Sequence, residues 1–179
     1  MKATLGDIVL EARELFREHG YDGASMQDLA ERVGLKKASL YTRFPSKEAL
    51  VPEVLAVTQQ ETFAGLPRPG GDWRADYAEL VERIANSFIQ RKRCVGLHLA
   101  YGVSDQTPEA KAAVETFFNG QRDRIAAILE PGLGAEEAQI VAADTLARLE
   151  GATLWLATTG DIGPMQRAVK ALIGAQAAG

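Results

Sequence analysis

Apolar side chains recur at i, i+3, i+4 and i+7 in almost every segment of the 179-residue chain, and no stretch alternates apolar with polar residues as a half-buried strand would. This periodicity predicts an all-α protein of about nine helices, because a 3.6-residue repeat gathers apolar groups on one face of a helix and scatters them over both faces of a strand. Ile8, Ala12, Leu15 and Phe16 form the first such face, with Thr4 and Asp7 as a capping pair and Gly20 as the stop. Met26, Leu29, Ala30 and Val33 form a second, short one between a Ser25 cap and Gly34. Leu40 and Phe44 mark a third over Lys36 to Phe44, closed by Pro45. A fourth helix is expected to open at Ser46. Pro52 falls inside its pattern and predicts a kink, since proline cannot donate to the carbonyl of Glu48.

Two Pro and three Gly between Gly65 and Asp72 make the clearest break in the chain. Beyond it, Tyr77, Leu80, Val81, Ile84, Phe88 and Ile89 predict a long amphipathic helix, followed by a shorter one from Cys94 to Val103. Thr107-Pro108-Glu109 reads as a helix start, with Thr107 as its cap, leading into Val114, Phe117, Phe118, Ile125 and Ile128. Pro131 and Gly134 are expected to end that helix. The next carries Ile140, Val141, Leu146, Leu149, Ala152 and Trp155, and the last, after Pro164, carries Val169, Leu172 and Ile173.

Composition removes several function classes. No run approaches the roughly 18 uninterrupted apolar residues of a membrane span. The first residues reach Asp7 with no apolar core of a signal peptide, so a cytoplasmic protein is expected. Cys94 is the single cysteine, which excludes an intramolecular disulfide framework and a multi-cysteine metal site; no metal or cofactor is expected. The net charge of −4 hides an asymmetry: residues 1–51 carry eight basic and eight acidic side chains, so the whole deficit lies in residues 52–179. Arg32, Lys36, Lys37, Arg43 and Lys47 fall within sixteen residues that contain no Asp or Glu, a local positive footprint in an acidic chain.

That footprint coincides with two short helices joined at Gly34, the dimensions of a helix-turn-helix over about residues 25–44. Ala30 is small enough to let the second helix approach, and a turn this tight needs the positive φ that glycine adopts without steric cost. With Leu40 and Phe44 inward, Lys36, Lys37, Ser39 and Arg43 lie outward, giving a short-chained, hydrogen-bonding and positive helix suited to a major groove.

The stretch GYDGASMQDLAERVGLKKASLYTRFPSKEAL, with Leu15-Phe16, Gly20-Tyr21, Leu29-Ala30, Gly34, Leu40-Tyr41, Phe44 and Ser46-Lys47-Glu48, resembles the N-terminal domain of the TetR/AcrR family of transcriptional regulators. The likeness covers roughly residues 5–51. It implies a DNA-binding domain over residues 1–51 and an effector-binding and dimerisation domain over 52–179. By position, Ser25 would cap its helix and approach a phosphate, and Gln27 would reach a base edge. Lys36, Lys37, Ala38 and Ser39 would lead the recognition helix. Tyr41 would meet the DNA backbone through its hydroxyl, and Lys47 a phosphate at the start of the fourth helix. Arg43 stands where relatives often carry His or another aromatic residue, and only Lys2 represents the basic arm common in relatives.

The resemblance further implies a homodimer on a palindromic double-stranded operator, paired through the last two helices, 135–159 and 162–175, whose Ala and Gly content suits close approach. It also implies a small effector, largely apolar, that releases a repressor from DNA. Phe88, Cys94, His98, Tyr101, Phe117, Phe118 and Trp155 are the expected pocket lining. Two alternatives stand beside this: an activator or DNA-organising protein without effector, and a thiol-based redox or electrophile sensor using Cys94, which sits one turn from His98 and beside Arg91-Lys92-Arg93. Without an orienting third residue or an oxyanion loop, Cys94 and His98 do not make an enzyme.

Overall fold

The computed structural model describes residues 3–177, and among them the chain forms nine α-helices and no strand. They are α1 (Leu5–Gly23), α2 (Met26–Arg32), α3 (Lys37–Tyr41), α4 (Leu50–Thr62), α5 (Trp73–Arg91), α6 (Val95–Ala100), α7 (Pro108–Leu133), α8 (Ala135–Thr158) and α9 (Gly163–Ala177). Among the described residues no helix is long and apolar enough to cross a membrane.

The helices sort into two compact units. The first takes the chain up to Thr58 together with Val95–Phe118, and the second takes Gln59–Cys94 and the chain from Asn119 onward. In the first unit, Ile8, Leu15 and Phe16 of α1, Leu29 of α2, Leu40 of α3, Leu50 and Val54 of α4, Leu99 of α6 and Phe117 of α7 bury into one core. Helix α6 packs along α1, where Gly102 just beyond it matters: a β-carbon there would stand 2.8 Å from that of Tyr21. In the second unit α5 packs on α8 and α9, burying Tyr77, Leu80 and Val81 with Leu149 and Met165. The Tyr77 hydroxyl there is satisfied by Thr145 Oγ1 at 2.7 Å.

Several boundaries depart from the sequence expectation for identifiable reasons. Thr4 and Asp7 form a full capping box, but Gly20 interrupts α1 only locally (φ 70°, ψ −174°) before helical bonding resumes to Gly23. The turn at 46–49 is not helical, so α4 opens at Leu50 and Pro52 lies in its first turn. A first-turn residue has no intrahelical acceptor for its N–H, so the expected kink has no cause. Pro131 does not end α7; the break falls at Gly134, whose φ of 79° leaves the helical region. Ile140 and Trp155, part of the apolar pattern that marks α8, are 52% and 49% exposed.

Candidate nucleic-acid interface

The turn between α2 and α3 is built from local hydrogen bonds. Ser25 Oγ accepts from the Asp28 amide (3.1 Å) and donates to the Asp28 carboxylate (2.7 Å), fixing the start of α2. After Arg32 the chain reverses through Gly34 at φ +65°, with the Gly34 amide donating to Glu31 O (3.2 Å) and the Leu35 amide to Ala30 O (2.9 Å). Lys36 then stands at the capping position before α3, whose Leu40 is fully buried and is followed inward by Phe44. The register leaves Lys36, Lys37, Ala38, Ser39 and Tyr41 exposed on one short helix, with Ser25 and Gln27 exposed at the start of α2. Lys37 Nζ lies 6.0 Å from the centre of the Tyr41 ring. The Gln27 amide donates to Glu31 (2.7 Å), and Arg32 is drawn back by an ion pair with Glu18. A basic, hydroxyl-bearing surface of this size can meet phosphates and base edges at once.

Two cations of the footprint are used differently. Arg43 Nη1 donates to the carbonyl of Ala3 at 2.7 Å, joining the turn after α3 to the entry of α1. Lys47 Nζ donates to the carbonyls of Tyr21 (2.5 Å) and Ala24 (3.0 Å) and lies 4.2 Å from the centre of the Tyr21 ring. Burial holds its pKa below the ordinary lysine value, with Asp22 opposing in part. Glu48, which the sequence left without a role, accepts from the amides of Glu109 (2.8 Å) and Ala110 (3.1 Å) through Oε1. Nothing local in the sequence signals this contact, which spans about sixty residues.

The residues expected to line an effector pocket divide between the units. His98, Tyr101, Phe117 and Phe118 belong to the first, and Phe88, Cys94 and Trp155 to the second. His98 Nδ1 pairs with the Phe16 carbonyl at 3.2 Å, and Phe117 and Phe118 meet edge to face at 5.2 Å. Tyr101 is 82% exposed and, like Trp155, is not buried in its unit. Cys94 is buried and hydrogen-bonds to the carboxyl of Glu150, which burial pushes up to about 7. Within the second unit, an open groove of about 540 Å³ between α5 and α9 is lined by Ala85, Ile89, Met165, Val169 and Ile173, with Glu82 and Lys170 among its polar members. It includes none of the expected lining residues. No cluster of metal-binding side chains occurs among the described residues.

Comparison with known proteins bears on the same surface. Residues 8–54 match the family described as bacterial regulatory proteins, tetR family. The chain is 27% identical over 107 residues to the HTH-type transcriptional regulator YuxN of Bacillus subtilis, covering 58% of this chain and 37% of that protein. It is 49% identical over 43 residues to IcaR of Staphylococcus aureus, the HTH-type negative transcriptional regulator of the biofilm operon icaADBC, covering 24% of this chain and 23% of the relative. These alignments therefore span well under half the length of either curated relative. Over the whole chain the fold is that of a TetR transcriptional regulator from Legionella pneumophila, at a TM-score of 0.84, 20% identity and 97% coverage of both chains. A TetR variant from Acinetobacter baumannii, solved in complex with minocycline, aligns at a TM-score of 0.64 and 21% identity over 99% of this chain and 96% of that one.

Proposed function

We propose that the chain, whose residues 8–54 match the family described as bacterial regulatory proteins, tetR family, is a non-enzymatic, DNA-binding repressor of transcription that acts as a homodimer on a palindromic operator. The observation that carries the reading is α3: it presents Lys36, Lys37, Ser39 and Tyr41 to solvent beside a Gly34 turn, while Leu40 alone anchors it inward. In this reading Lys36 and Lys37 bind phosphates, Ala38 and Ser39 approach base edges, and Tyr41 meets the DNA backbone. Ser25 and Gln27 reach the duplex from the start of α2. Arg43 and Lys47 take part through the positions they hold rather than through their charges.

A helix this short reads too few base pairs alone, which supports pairing of two copies on half-sites one helical turn apart. The exposed stripe of Ile140, Leu154, Trp155 and Ile162, interspersed with exposed Ala147 and Gly151, supports α8 and α9 as the pairing face, since a monomer rarely leaves such a row in water. For the effector, the minocycline complex of the Acinetobacter TetR variant supports a small molecule as the class, and the α5–α9 groove has the volume such a molecule needs. Fluorescence anisotropy on duplex DNA from the upstream region of the chain's own gene tests the reading, with scrambled duplex as control and a salt series. Binding that favours the upstream duplex by about a thousandfold and weakens steeply with salt is the expected result. Equal, weak binding to both duplexes points to a DNA-organising protein, and absence of binding at low salt rejects the assignment of α3.

A further inference from the structure

Helix α7 begins without a cap of its own. Thr107 occupies the capping position, yet its hydroxyl turns back, accepting from the Ser104 amide (2.9 Å) and donating to the Ser104 carbonyl (3.1 Å). Pro108 has no N–H, and the Lys111 amide makes the first bond along the helix, to Thr107 O (2.9 Å). That leaves the amides of Glu109 and Ala110, and both are taken by one carboxylate oxygen, Glu48 Oε1. A carboxylate at this place satisfies two amides that no helix satisfies by itself and stands at the positive end of the helix dipole.

Glu48 is adjacent in sequence to Lys47, whose ammonium holds the Tyr21 and Ala24 carbonyls at the corner between α1 and α2. Gly102, in the turn that leads to α7, passes close to Tyr21 at the same corner, where an added β-carbon would stand 2.8 Å from that of Tyr21. Two consecutive side chains of opposite charge therefore reach in two directions from the turn between α3 and α4. One grips the α1–α2 corner and the other grips the first turn of α7, and α7 is a single helix through Leu133.

Resting on the DNA-binding reading above, we propose that Glu48 is the positioning residue that couples the recognition helix to the start of α7, so that DNA on α3 tightens the Glu48 cap and release of that cap weakens DNA binding. The two effects are equal by thermodynamic reciprocity. A cap that served only to stabilise the helix would be made equally well with and without DNA.

Amide hydrogen exchange at Glu109 and Ala110 in the full chain reads the contact directly, because first-turn amides gain no protection from the helix itself. The experiment compares wild type, Glu48→Gln and Glu48→Ala, each with and without the upstream duplex, and circular dichroism checks that each is folded. In wild type, saturating duplex is expected to slow exchange at both amides by about fivefold, the low end of ordinary coupling. In Glu48→Ala both amides exchange about tenfold faster than in wild type, the duplex no longer changes them, and the duplex binds about fivefold more weakly. Glu48→Gln keeps a neutral acceptor and is expected to fall between. Duplex that binds wild type while leaving Glu109 and Ala110 unchanged overturns the proposal. So does DNA-dependent slowing that survives in Glu48→Ala. Failure of wild type to bind any duplex, seen by anisotropy beforehand, removes the DNA-binding reading and this proposal with it.

Discussion

Lys36 and Lys37 on α3 stand in solvent, whereas Arg43 and Lys47, a few residues further along the same acid-free stretch, turn their charges onto backbone carbonyls. The two regions share composition and differ in use. On α3 the buried side is satisfied by Leu40, so nothing draws the lysine heads inward. In the turn that follows, the backbone is not helical and the α1–α2 corner presents two carbonyls that lack intrahelical donors, so an ammonium fills the need. A run of positive charge thus contains both exposed cations and cations that brace the backbone.

The contrast can be broken by removing charges on either side of it. Lys36→Ala with Lys37→Ala is expected to weaken duplex binding about a hundredfold and to lower the salt slope by about 0.9 for each phosphate that is no longer neutralised, with thermal stability unchanged. Anisotropy over a salt series checks this, and an unchanged slope would remove these lysines from the interface. An effect of similar size concerns an acid in the other unit whose carboxyl oxygen is buried. Glu150 titrates at about 7 in the fold against an ordinary value of 4.5, so between those two pH values the native state holds a proton that the unfolded state has released. Stability attributable to Glu150 therefore falls as pH rises through that window. Glu150→Gln should stabilise the chain by about 3 kcal/mol at pH 8 and by nothing below pH about 4, as read by denaturant titration at both pH values.

Lys47→Ala comes next. It removes two charge-assisted hydrogen bonds to carbonyls, so the chain is expected to lose about 2 kcal/mol of stability while its salt slope stays at the wild-type value. A slope reduced by about one, with stability intact, would instead return Lys47 to the phosphate-binding role that the family resemblance implies. The smallest effect is expected at Gly34. Nothing lies within 4 Å of the place a β-carbon would take, so Gly34→Ala is penalised only by its φ of +65°, and should cost about 1 kcal/mol in thermal or chemical unfolding.

Much of the fold is legible in the sequence because its signals are local. The capping residues Thr4 and Ser25, the inward pairs Leu29–Ala30 and Leu40–Phe44, and the Gly34 turn each depend on residues within a few positions of one another. The elements that depart from expectation share a cause. Residue type alone predicts a kink at Pro52, but proline's effect depends on where in the helix it falls and Pro52 sits in a first turn, while of the stop expected at Pro131 and Gly134 it is Gly134 that breaks the helix. Trp155 and Ile140 contribute to the apolar pattern of α8 and Trp155 is among the expected pocket lining, yet both lie on a second apolar side of the helix that is exposed.

Periodicity and short-range hydrogen bonding are written in consecutive residues, and so the sequence by itself determined an all-helical chain with a helix-turn-helix near its start whose second helix is short and basic. Which charges remain in solvent, and which are withdrawn to brace a corner or cap a distant helix, was decided by the tertiary structure. A carbonyl or an amide lacking a partner can be met by a side chain from anywhere in the chain, as Glu48 meets Glu109 and Ala110, and desolvation decides which side chain that is.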